Sequence, residues 1–157
     1  MNDVKIMMGI LFESLDKKRD ALELINQITE KQKVLIQDTG FLVEQFNGLV
    51  GMKQTKIEEI QALDDGFVAT YNRVKTYIIN QQDVYKDDVL KLKEKIKAVG
   101  ELGIAIQVNE MRNKRLLDIK HTNEKNRTVQ EGALPSQQLV KKRMQAYTEY
   151  NKNNPKK

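Results

Sequence analysis

The residues that could carry catalysis are few and badly spaced for it. His121 is the single histidine. It stands among Lys120, Asn123 and Glu124, which places it on a charged surface. Ser14 and Ser136 have no histidine nearby in sequence to act as base, so a serine nucleophile is not supported. Asp64-Asp65 and Asp83/Asp87/Asp88 are acidic groupings without the glycine turn and spaced oxygen ligands of a calcium loop. A di-iron bundle needs Glu-x-x-His pairs on facing helices, and the chain has none. Gly100-Glu101-Leu102-Gly103 lacks the lysine and preceding strand of a phosphate loop. With no cysteine, disulfides and thiolate metal sites are excluded. The expectation is a non-enzymatic protein with no metal and no cofactor.

The elements that would position any site are helices. The chain has 157 residues, and its first proline is Pro135. Before it, apolar residues recur at steps of three and four, which place them along one side of a helix. The first series is Val4, Met8, Leu11, Leu15, Leu22, Ile25, Ile28 and Leu35. It predicts a helix from about Asn2 to Ile36. The second is Leu42, Phe46, Leu49, Ile57, Ile60, Leu63, Phe67, Tyr71 and Val74, on a helix from about Phe41 to Ile79. The third is Tyr85, Val89, Leu92, Ile96, Val99, Leu102, Ile106, Asn109, Asn113 and Leu117, on a helix from about Val84 to Glu124 or beyond. Helices of this length span roughly 50–60 Å at about 1.5 Å per residue.

Asp38-Thr39-Gly40 is read as the first reversal, with Asp or Thr as cap and Gly for a positive φ. Asn80 to Asp83 is the second, with Asp83 as cap. Short connections make successive helices antiparallel. Thr55-Lys56-Ile57-Glu58 spells a capping box, but the apolar rhythm runs through it, so it is read as helix interior. Gly48, Gly51, Gly66, Gly100 and Gly103 fall inside helices and mark close helix approach or a bend. The fold expected is all-α: three long antiparallel helices in a coiled-coil-like bundle over residues 1–126. A basic tail over 127–157 follows, with a short amphipathic helix.

Charge is uneven. Residues 1–80 carry net −2 and residues 81–157 net +7. In the tail, Val140, Met144 and Tyr147 share a helical face, with Lys141, Lys142 and Arg143 between them. A solvated basic tail is the simplest reading, and nucleic acid or an acidic partner is the alternative. The N-terminal stretch carries Asp3, Lys5 and Glu13, unlike a signal peptide. No window is long and apolar enough for a membrane span. A cytoplasmic protein without membrane insertion is expected.

Asn109 and Asn113 are polar residues at seam positions. One reading is a register device, since a polar seam residue penalises shifted pairings. The other is a partly covered stretch of helix that receives a partner. Around these residues the chain resembles the FlgN-like flagellar export chaperones. The matching elements are the N-terminal leucine-seam helix and the break at Gln37-Asp38-Thr39. They continue with the Lys53–Ile57–Ile60 rhythm, Leu63-Asp64-Asp65-Gly66-Phe67, and Asn109-Glu110-Met111-Arg112-Asn113-Lys114-Arg115-Leu116. The resemblance covers about Val4 to Asp118. It implies a cytoplasmic chaperone that binds C-terminal amphipathic helices of hook-filament junction proteins. It also implies delivery of these clients to the flagellar type III export gate. Ile106, Asn109, Asn113, Leu116 and Leu117 would line the client groove. Val140, Met144 and Tyr147 of the tail would cover it when empty, and Tyr147 and Tyr150 are the candidates for gate docking. A structural coiled-coil adaptor, or a homodimer that satisfies the exposed seam by self-pairing, is the alternative.

Overall fold

The computed structural model describes residues 2–128, and within them it is all-α. Three helices follow one another: α1 (Asn2–Gln37), α2 (Val43–Asn80) and α3 (Lys86–Thr128). The expected tail helix and its tyrosines lie outside the described residues. Among the described residues no helix is long and apolar enough to cross a membrane, and no group of metal-ligating side chains gathers.

α1 is the middle element. It packs along both other helices, whereas the backbones of α2 and α3 approach each other closely at hardly any point. The predicted seams explain this arrangement. Val4, Met8, Leu11 and Leu15 of α1 meet Val74 of α2 and Tyr85, Leu92 and Val99 of α3 in the largest apolar cluster. Ala21 and Ile25 meet Ile57, Ile60 and Ile106 in a second. Ile36, Phe46 and Leu117 form a third and smaller one. The clusters run forward along α1 and α3 and backward along α2, so α2 is antiparallel to its neighbours and α3 runs parallel to α1. Two expected seam residues are exposed: Leu42, and Tyr71, which stacks on Phe67.

The reversals differ from the expected ones in how they are closed. At the first, Leu42 occupies the N-cap position of α2 and makes no side-chain cap. Asp38 instead accepts the Gly40 N–H at 3.0 Å, an Asx turn that needs no positive φ at Gly40. Phe41 packs on Phe46 with ring centroids 5.6 Å apart. They sit just before the cap and one turn beyond it, the placement of a hydrophobic staple. Lys120 of α3 donates to the Asp38 carbonyl at 2.9 Å and pins the turn. At the second reversal Asp83 does not cap. The Gln81 carbonyl accepts the Val84 and Tyr85 N–H groups, and α3 starts at Lys86. Burial of the Tyr85 ring decides this start: its side chain is 1% exposed. Asp87 and Asp88 then lie in the first turn of α3, where the helix dipole favours negative charge.

Thr55 lies inside α2, its hydroxyl donating back to the Gly51 carbonyl at 3.2 Å, so the capping-box spelling does not start a helix. Gly48, Gly51 and Gly66 do not mark close helix approach. A Cβ built on any of them meets no atom within 4 Å.

Candidate functional site

Between the second and third apolar clusters the core turns polar. Thr29 and Gln32 come from α1, Lys53 from α2, and Glu110 and Asn113 from α3, and all five are buried. Each falls on the seam of its helix. Lys53 lies four residues before Ile57, Glu110 four after Ile106, and Gln32 four before Ile36, so helical periodicity turns every one of them inward. Lys53 and Glu110 form an ion pair with side-chain exposures of 2% and 1%. The Thr29 hydroxyl sits 2.9 Å from the same Glu110 oxygen and 2.7 Å from the Ile25 carbonyl. Asn113 donates its amide to the Thr29 carbonyl at 2.8 Å.

The layer extends outward along the α1–α3 contact. Asn109 donates to Asn26 at 2.8 Å. Arg112 reaches the Asn113 side-chain oxygen at 3.1 Å and Glu30 at 3.1 Å. Further along, Lys18 pairs with Asp64 at 2.7 Å between α1 and α2. The Asn109–Asn26, Arg112–Glu30 and Lys18–Asp64 contacts join residues on different helices, and a shift of one turn would strand each of them.

The electrostatics of the layer are tense. Burial holds the Lys53 ammonium below its ordinary pKa of 10.5, because a charged amine loses its hydration there; the Glu110 carboxylate opposes that shift. A pair of this kind offsets much of its desolvation but seldom exceeds it. Glu110 Oε2 and both polar atoms of the Gln32 amide are buried without a hydrogen-bond partner. The layer is therefore a weak storey in the bundle, and it fixes which residues face each other.

The expected client groove has a different geometry. Ile106, Asn113 and Leu117 are buried, and Asn109 and Leu116 are half-buried. α1 packs beside Ile106, Asn113 and Leu117, so these three face α1 and not solvent. The spacing that made these residues look available is the spacing that turns them toward α1. Val140, Met144, Tyr147 and Tyr150 lie outside the described residues. His121 is half-buried rather than on the surface, with its Nδ1 buried and unpaired.

The free surface of α3 lies on its opposite face. Ile104, Val108, Met111 and Ile119 are 44–59% exposed. Their steps of four, three and eight keep them in one row, with Arg115 in the gap between Met111 and Ile119. At its far end the row borders an open depression of about 380 Å³, whose wall includes Ile36, Leu116, Ile119 and Asn123. Ile104, Val108 and Met111 thus form a short exposed apolar stripe, and Ile119 continues it beyond Arg115. A second depression, of about 440 Å³, lies at the other end between α1 and α2, where Ile6, Ile10, Arg73 and Tyr77 meet.

Reading the helices one at a time overlooked Lys53, Glu110, Gln32 and Thr29 as an ensemble. The signal was present: a lysine on one seam and a glutamate on another, each at a three- or four-residue step from isoleucine. The outer row of α3 was legible too, as a second set of apolar residues offset from the first by about half a turn. Comparison with known proteins finds no family model, no characterised protein and no solved structure that matches this chain.

Proposed function

We propose that this protein is a non-enzymatic helix-binding chaperone whose docking face is the outer row of α3. The observation that carries the reading is the double use of α3. One face is committed to α1 and the core, while Ile104, Val108, Met111 and Ile119 remain exposed at the helical spacing that an amphipathic partner helix would match. Arg115 interrupts the row, so the partner helix has an apolar stripe with an acidic residue opposite Arg115.

The narrower reading is a cytoplasmic export chaperone of the flagellar type III secretion system. Its clients would be the C-terminal amphipathic helices of hook-filament junction proteins, handed on to the export gate. It is supported by the residues between Val4 and Asp118 that resemble the FlgN-like family. The surface for such a client is the outer row, with Leu116 at its border. The seam residues Ile106, Asn109, Asn113 and Leu117 hold α3 in register behind it.

Mixing the protein with C-terminal helical segments of junction proteins tests both levels. A soluble 1:1 complex that is lost in Val108→Glu/Met111→Glu, with helix content unchanged, supports the outer-row client site. A complex that survives this double change moves the site elsewhere. No complex with any junction protein sinks the flagellar reading. The same row on a second copy is the competing occupant. In that case the mass rises with concentration in the absence of client, and Val108→Glu/Met111→Glu returns it to the monomer.

A further inference from the structure

The polar layer cuts the core unevenly. On one side lie thirteen buried apolar residues in two contiguous clusters, from Val4 and Val99 to Ile60 and Ile106. On the other lie three: Ile36, Phe46 and Leu117. Helix α1 beyond Gln32, the turn at Asp38, and the first turns of α2 all belong to the short side. So does α3 beyond Asn113. Around those three pack the partly buried Leu35, Phe41, Val43, Val50 and Leu116, and Lys120 donates to the Asp38 carbonyl across the end. At the boundary itself Gln32 contributes two buried polar atoms without partners and Glu110 one.

We propose that the polar layer is an opening joint. The short end, closed by Ile36, Phe46 and Leu117, opens as a unit while the long end stays folded. The reasoning is one of cooperativity. Apolar packing couples neighbouring layers because each side chain fills gaps left by the next. At the layer that continuity stops. When the short end opens, water reaches Lys53 and Glu110 and returns the hydration that burial took from them. Opening therefore relieves an unfavourable term at the place where it must begin. Regions with few buried apolar contacts are the ones that open below the global unfolding limit. This joint is independent of which partner the outer row of α3 binds.

Native-state hydrogen exchange on the full chain tests it. Amides of 33–37, 44–52 and 114–124 are expected to exchange at least about ten times faster than those of 8–25, 57–74 and 92–106. Helix ends also fray, so the deciding comparison is a change in the layer alone. In Gln32→Leu/Lys53→Met/Glu110→Leu the layer becomes apolar, and the gap between the two sets should shrink by about ten-fold. A frayed end would keep its gap, and that result overturns the joint. Should the triple variant fold differently, two single changes remain decisive. Gln32→Leu should slow exchange at the short end only. Leu117→Ala should speed it there and leave 8–25 unchanged. Acceleration that spreads evenly along the chain would mean one cooperative unit and would overturn the proposal as well.

Discussion

The two ends of this bundle are built from the same three helices and follow different rules. In the long half, Met8, Leu11, Val74, Tyr85 and Val99 belong to one apolar cluster to which all three helices contribute. Where the short end begins, a lysine, a glutamate and three uncharged polar side chains occupy the same kind of seam position. Dispersion and hydrophobic burial are strong but indifferent to small shifts of one helix along another. Hydrogen bonds and ion pairs add less net stability and discriminate sharply between registers. The contrast teaches that stability and alignment reside in different storeys of the molecule.

The largest expected effect probes that division directly. Lys53→Met alone leaves Glu110 buried without its cation and should cost about 3–5 kcal/mol, whereas Lys53→Met/Glu110→Leu should be nearly neutral or stabilising. Urea unfolding of the singles and the double closes the cycle. If the double is as unstable as the single, the pair is a true stabiliser and the contrast between the two ends fails.

Next in size is Leu11→Ala in the long half, where the side chain is 0% exposed. A loss of about 2–5 kcal/mol is expected, as for a cavity in a packed core. Calorimetry should show the whole transition moving down, and a shift confined to part of the chain would contradict a continuous long half.

Smaller and opposite in sign are Gly48→Ala and Gly51→Ala. Each added Cβ points into open space, so each should stabilise α2 by about 1 kcal/mol. These residues lie in the short end, and an increase in its hydrogen-exchange protection would locate the gain there.

The smallest effect is a slope in pH. Burial lowers the Lys53 pKa below 10.5, so the folded chain gives up this proton at a lower pH than the unfolded chain does. Between the lowered value and 10.5 the unfolded state binds more protons, and stability contributed at this site rises with pH. Below that window the penalty is fully present. Denaturant midpoints of the wild type minus those of Lys53→Met/Glu110→Leu, compared at mildly and strongly alkaline pH, should increase with pH. A flat or falling difference would contradict the stated direction.

How much of this was legible in advance varies from residue to residue. Val4, Met8, Leu11, Ile57, Val74, Leu92 and Val99 were all named as seam residues from spacing alone, and all are buried. The helix starts were less legible. Asp83 looks like a cap, yet α3 begins three residues later because packing of the Tyr85 ring sets the path of the chain. Gly40 looks like a left-handed turn, yet Asp38 closes it with a side-chain hydrogen bond. The candidate site was half legible. Asn113 was correctly placed inward, but whether an inward residue meets a partner or another helix of the same chain depends on a third dimension that spacing does not contain.

Helical periodicity is a local property of the backbone. The chain's own pattern of apolar steps, unbroken by proline, therefore determined three long helices, their inward faces and the two points of reversal. Which faces meet is not local. Only the packed structure placed α1 between α2 and α3, brought Lys53 within reach of Glu110 across 57 residues, and left Ile104, Val108 and Met111 facing outward. The physical reason is that one α-helix has room for more than one apolar row. The choice between burying a row and exposing it is made by the helices that pack alongside.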